Sequence, residues 1–156
     1  MKERIYISRQ HLLTMVLAAE EIFPKECFGF VLGQDNIVTD VLPLQSVINK
    51  RDEVIFKPEK LLIFKSNIEQ SRRGERVIGT FHSHPGADAL LRPSSADKEN
   101  LGFVPYLFIV WVPKHLSDAK LGCDGRWRLR HSVVAKVGVW KFKGRRLLRV
   151  KIEERG

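Results

Sequence analysis

The sequence predicts an α/β or α+β layered fold, because segments with helical apolar period alternate with short β-forming runs along its 156 residues. Two further observations support that class. The last third reads almost wholly as strand, and no repeat, low-complexity stretch or linker divides the chain. A length of 156 residues suits one hydrophobic core and is short for two, so a single domain over 1–156 is expected.

Ile5 to Ile7 read as a short strand, and Ser8 stands where an N-cap belongs, ahead of a helix with Leu12, Val16, Ala19 and Phe23 on one face. Pro24 closes that helix. Cys27 to Leu32 is an apolar run of strand length, Gln34-Asp35-Asn36 is a polar turn, and Ile37 to Leu44 returns, which predicts a hairpin. Pro58 opens a second helix, Leu61, Leu62, Phe64 and Ile68 give it an apolar side, and Gly74 ends it. Arg76 to His84 is strand again. A loop rich in Pro, Gly, Ala and Ser leads to Pro93-Ser94-Ser95-Ala96-Asp97, the pattern of a helix start, with a short helix to about Leu101. Tyr106 to Val112 is a run of β-formers, and Arg126 to Val134 alternates basic and apolar residues with period two, as one strand would. Val137 to Phe142 and Leu147 to Ile152 flank a Lys143-Gly144 turn.

An apolar fraction of 44% with 29% charged residues excludes the disordered and membrane classes. The longest apolar runs, such as Val104 to Pro113, are about half of what a bilayer-spanning helix needs, and the first residues lack a signal-peptide core. No membrane association and a cytoplasmic location are therefore expected. Two cysteines, Cys27 and Cys123, cannot build a disulfide framework and are read as buried or idle thiols. The net charge of +9 gathers at Arg72, Arg73 and Arg76, at Arg126, Arg128 and Arg130, and from Lys141 to Lys151. Such a surface suits an acidic partner, protein or nucleic acid, or is simply solvated.

The chemistry gathers around two histidines. His82 and His84 stand two apart at a strand end, so both imidazoles leave one face and can converge on one ion. Asp97, in the first turn of the following helix, can turn back to supply a third ligand, an arrangement in which zinc keeps a fourth position open for catalysis. Taken alone, the pair reads more readily as two surface histidines on a strand, and Ser94 or Ser95 as a plain helix cap.

Three separated elements, in order, carry a resemblance. His82-Ser83-His84-Pro85 followed by Ser94-Ser95-Ala96-Asp97 looks like the His-x-His-Pro, spacer, Ser-x-x-Asp motif of the JAMM (MPN+) zinc metalloproteases. Upstream, Pro24-Lys25-Glu26-Cys27-Phe28-Gly29, running into the apolar stretch to Gly33, matches that family's Pro-x-Glu-x-x-Gly element. The chain resembles a small prokaryotic-type member. Nine residues separate His84 from Ser94, a longer loop than many members have. The resemblance covers about Ser8 to Val112, and the basic β-rich end, about 126–152, is matched only in character.

The resemblance implies a cytidine-deaminase-like layered fold, with a curved mixed β-sheet flanked by helices. It implies Zn2+ on His82, His84 and Asp97, Glu26 as the general base that moves the water proton to the leaving amine, and Ser94 as hydrogen-bond donor to the oxyanion. Ser95 is the rival one residue off, at the wrong distance from Asp97. Mn or Fe could occupy the same ligands, and softness favours Zn. The implied substrate is the amide or isopeptide bond after the Gly-Gly tail of a ubiquitin-like or sulfur-carrier protein. Two other readings stand beside it. One is a nucleic-acid-binding or DNA-repair-associated protein of related motif, with Trp127 and Trp140 among arginines as stacking platforms. The other is a non-catalytic scaffold, from which these ligands would typically be missing. His115, Cys123 and His131 could form a second zinc site but lack an evident fourth ligand, and read as ordinary side chains.

Overall fold

The computed structural model describes residues 3–44, 58–86, 88–113, 120–121, 127–129, 132–133 and 135–155, and among these described residues ten strands and three helices follow one another. β1 (Arg4–Ser8) runs directly into α1 (Arg9–Ile22), and β2 (Phe28–Gln34) turns through Asp35 into β3 (Ile37–Pro43). α2 (Pro58–Ser71), β4 (Arg76–Pro85), α3 (Ser95–Asn100) and β5 (Tyr106–Val112) make up the middle of the chain. β6 (Lys120–Leu121), β7 (Trp127–Leu129), β8 (Ser132–Val133), β9 (Lys136–Lys143) and β10 (Arg146–Arg155) complete it.

Local chemistry accounts for most boundaries. The Ser8 hydroxyl accepts the His11 amide at 3.1 Å and so satisfies one orphan donor of α1, which ends at Ile22 just before Pro24. Gly74, with φ of 81°, takes the left-handed conformation after α2 that most residues avoid. β2 and β5 are apolar along nearly their whole length because both faces of the sheet are covered there.

The sheet order is β1-β10-β9-β5-β4-β2-β3, and β1 returns to β3 through the pair Tyr6 and Ile37, closing a barrel. β1 with β10 and β4 with β5 are parallel, while the hairpins β2–β3 and β9–β10 are antiparallel, so the sheet is mixed. On one face, Met15, Val16, Ala18 and Ala19 of α1 pack against Ile5, Ile7, Phe81, Phe108, Val139 and Val150. On the other, Leu61 of α2 and Leu101 after α3 meet Phe28, Phe30, Leu107, Ile109 and Trp140. This is the helix-flanked mixed sheet expected, with the addition that its edges meet.

One strand is corrected. Arg126 to Val134 does not form a single strand: β7 and β8 pair antiparallel with each other, and with β6 they make a separate three-stranded sheet. Period-two alternation marks both arms of a hairpin alike, and no Gly, Pro, Asn or Asp between them betrays the reversal. Among the described residues, no helix is long and apolar enough to cross a membrane.

Gly29 is fixed by close approach. A Cβ there would lie far inside van der Waals contact of the Phe81 ring and the Leu42 carbonyl oxygen, a backbone atom that cannot swing away. Gly29→Ala is expected to destabilise the fold by about 1–3 kcal/mol, the usual range for overpacking, read as a lower unfolding midpoint in urea at unchanged slope. An unchanged midpoint would show that β2 and β4 have slack at this pair.

Candidate metal and active site

The carboxyl ends of the parallel neighbours β4 and β5 build the site. His82 and His84 lie two apart near the end of β4, on the side where alternation also places Thr80. The crossover from β4 to β5 carries α3, and its first turn delivers Asp97. The Ser94 hydroxyl accepts the Asp97 amide at 3.1 Å, and Asp97 Oδ2 accepts the Ser94 amide at 2.8 Å, a reciprocal capping box. This local pair of bonds fixes where the carboxylate points. Ser94 therefore caps the helix, as its sequence context allows, and Asp97 faces the histidines as well.

The three side chains converge. His82 Nε2 lies 3.0 Å from His84 Nε2, Asp97 Oδ1 lies 3.1 Å from His82 Nε2, and Asp97 Oδ2 lies 3.3 Å from His84 Nε2. Tetrahedral zinc with bonds of about 2.0–2.1 Å sets neighbouring ligand atoms roughly 3.3–3.4 Å apart, so this spacing needs only a slight opening to admit the ion. Two imidazole nitrogens and a carboxylate also match the donor types zinc prefers. The trio is the group of His, Cys, Asp and Glu among the described residues whose ligand atoms are close enough to hold a metal.

Electrostatics agree with a cation site. Burial pushes the Asp97 carboxyl up, but hydrogen bonds to His82 and His84, the charge of His82 and the Ser94 amide outweigh it and hold Asp97 well below the usual carboxylate range. For His84, burial pulls down, while Asp97, the Leu90 carbonyl and the charge of Glu26 lift it above the ordinary histidine value. Asp97 is 3% exposed and His82 1%. A carboxylate this buried requires positive charge beside it, from a proton on the pair or from a metal in its place.

Glu26 arrives by register. Phe28 pairs with His82 across β2 and β4, and just beyond, the Ser83 amide donates to the Cys27 carbonyl at 3.2 Å while the Cys27 amide donates to the Ser83 side-chain hydroxyl Oγ at 2.8 Å. Continuing the antiparallel pairing sets Glu26 beside His84, consistent with the reach of its charge to that ring. The structure thus brings Glu26, His82, His84, Ser94 and Asp97 to one end of the barrel.

Ser83 and Leu90 complete the site without having been predicted. Ser83 ties the start of β2 to the ligand strand, and the Leu90 carbonyl accepts from His84 Nδ1 at 2.7 Å. Period two marks Ser83 as the residue facing away from the histidines, but nothing in a side-chain pattern reveals a backbone carbonyl as a partner.

Other expectations resolve case by case. Arg72 bonds Asp40 at 2.6 Å and stands 3.9 Å from Glu75, and with Arg76 it lies at the far end of β4, roughly 20 Å from the histidines by strand rise. That basic cluster is partly neutralised within the chain. Trp140 is buried in the core with the Arg149 guanidinium 4.6 Å from its ring, so it is not a free stacking platform. Cys27 is buried and its thiol is pushed up to about 12 by burial, which makes it an inert thiol. His115, Cys123, His131 and the Trp127 side chain lie outside the described residues.

Residues 8–122 match the sequence model of a family described as prokaryotic homologs of the JAB domain. Over 101 residues the chain is 29% identical to a desampylase from Pyrococcus furiosus, covering 65% of this chain and 69% of that protein. In fold it is similar to a protein from Desulfitobacterium hafniense, with a TM-score of 0.62 and 22% identity over 97% of this chain and 92% of that one. It is also similar to a JAB1/MPN domain protein from Archaeoglobus fulgidus, with a TM-score of 0.53 and 20% identity over 96% and 97% of the two chains.

Proposed function

Because the chain belongs to the prokaryotic homologs of the JAB domain, a branch of the JAMM/MPN family, we propose that it is a zinc-dependent isopeptidase or peptidase that cuts the amide bond after the Gly-Gly tail of a ubiquitin-like or sulfur-carrier protein. The observation that carries this reading is the convergence of His82, His84 and Asp97 within 3.0–3.3 Å, at the end of a strand that Glu26 faces. The substrate class is supported by the desampylase relative and by the motif resemblance. A cytoplasmic place of action fits such a substrate.

His82, His84 and Asp97 would hold the metal, which when bound would supply a Lewis acid for the carbonyl and lower the pKa of water to about 7. Glu26 accepts the proton of the attacking water and delivers it to the departing amine. Its place at the head of β2, beside His84, puts a carboxylate on the rim of the ligand set without its being a ligand. Ser94 donates to the oxyanion. Its oxygen accepts the Asp97 amide through a lone pair, which leaves the hydroxyl proton unspent, and its exposed position opens it to substrate. The scaffold reading is set aside because the ligand set is whole.

The test is a ubiquitin-like protein whose Gly-Gly tail is fused to a reporter peptide. The zinc-loaded protein is expected to release the reporter after the second glycine, to lose that activity to a chelator and to regain it with zinc. No release from any Gly-Gly fusion by zinc-loaded protein would overturn the reading. Salt-sensitive nucleic-acid binding that ignores the chelator would favour the alternative.

A further inference from the structure

The described residues between Pro85 and Ser94 have no regular secondary structure, yet they supply the carbonyl that touches a ligand histidine. Leu90, which contributes that carbonyl, is itself 54% exposed, so burial of its side chain does not hold it. Hydrogen bonds do. The Gly86 amide bonds the Val112 carbonyl at 2.9 Å, the Ala89 amide bonds the Gly86 carbonyl at 3.1 Å, and Trp111 Nε1 donates to the Ala89 carbonyl at 2.9 Å. Of these, the Trp111 bond acts on the peptide immediately before Leu90.

Trp111 is placed for this by the sheet. It is the register partner of His84 across β4 and β5, and of Lys136 across β5 and β9. Partners in register share a face, so His84, Trp111 and Lys136 form a row across three strands. The Lys136 ammonium stands 5.8 Å from the indole centroid, on a ring that is itself half-buried.

We infer that Trp111 is a positioning residue of the metal centre: its indole N–H clamps the Ala89 carbonyl, holds the Leu90 carbonyl on His84 Nδ1, and so keeps the lone pair of Nε2 aimed at the metal position. The inference rests on the reading of His84 as a ligand. A carbonyl oxygen can only accept, so its bond to Nδ1 fixes the proton there and leaves Nε2 free to ligate. A loop carbonyl is no better fixed than the loop. Without the indole donor, the imidazole can exchange tautomers and turn about its ring torsion, and both motions must be stopped again when the metal binds.

Trp111→Phe removes the donor, and a second variant carrying benzothienylalanine at the same position replaces the N–H by sulfur at nearly unchanged shape. Both are expected to weaken zinc binding by about 10–100-fold, the usual effect of losing an outer partner of a ligand, measured by competition with a chromophoric chelator. Both should also speed solvent exchange of the His84 Nδ1 proton, followed by NMR. Val150→Ala, a core truncation on β10 away from the loop, provides the control and should change neither reading. Zinc affinity within twofold of wild type in the benzothienyl variant would overturn the inference, as would an equal loss in Val150→Ala. Wild-type protein that takes up no zinc would instead overturn the ligand reading on which the inference stands.

Discussion

Glu26→Gln is expected to keep its zinc and lose cleavage of the Gly-Gly fusion by about 10²–10⁴-fold, the contribution typical of a positioned general base. Glutamine keeps the shape and one acceptor oxygen of glutamate but has no carboxylate to protonate, so attack proceeds without proton removal and the amine leaves unprotonated. Zinc is expected to stay because the ligand atoms that converge on the site belong to His82, His84 and Asp97, a set to which Glu26 does not belong. Elemental analysis and turnover, measured on the same preparation, separate the two properties. Undiminished turnover would remove Glu26 from the mechanism, and loss of zinc would make it part of the ligand set.

The parts of this site that sequence reveals are those set by local geometry. Two histidines at period two leave one face of a strand whatever surrounds them, and a serine three residues ahead of an aspartate closes a capping box from short-range bonds alone. Ser8, Gly74 and Gly144 mark element ends for the same reason. What the sequence conceals depends on partners distant in the chain. β1 pairs with β10, Arg4 against Lys151, and no local pattern announces a bond between the two ends of the chain. The basic triplet of Arg72, Arg73 and Arg76 reads as an open positive patch until folding brings Asp40 from β3 against it. Glu26 is intermediate: its motif identifies it, but only the pairing of Phe28 with His82 shows which histidine it faces.

Asp97→Asn tests the one residue that serves both the helix and the metal. Asparagine retains an oxygen for the Ser94 amide, so the start of α3 should survive with little loss, since Asn and Asp cap almost equally well. The negative charge, however, disappears from between two imidazoles, and zinc affinity should fall by more than the roughly 100-fold that bounds the loss of an outer partner. The zinc-free protein provides an independent check through pH. Asp97 is depressed, so its contribution to stability is complete above the unfolded carboxylate value of about 3.9 and is lost as pH falls through the folded value. His84 is raised, so its contribution is complete below about 6.5 and is lost as pH rises through the folded value. The zinc-free wild type should therefore exceed the Asp97→Asn variant in melting temperature most strongly between about pH 4 and 6.5, with the gap narrowing on either side. A gap independent of pH would mean that the carboxylate stabilises the fold through capping alone, and that the buried charge pair between Asp97 and His84 contributes nothing to stability.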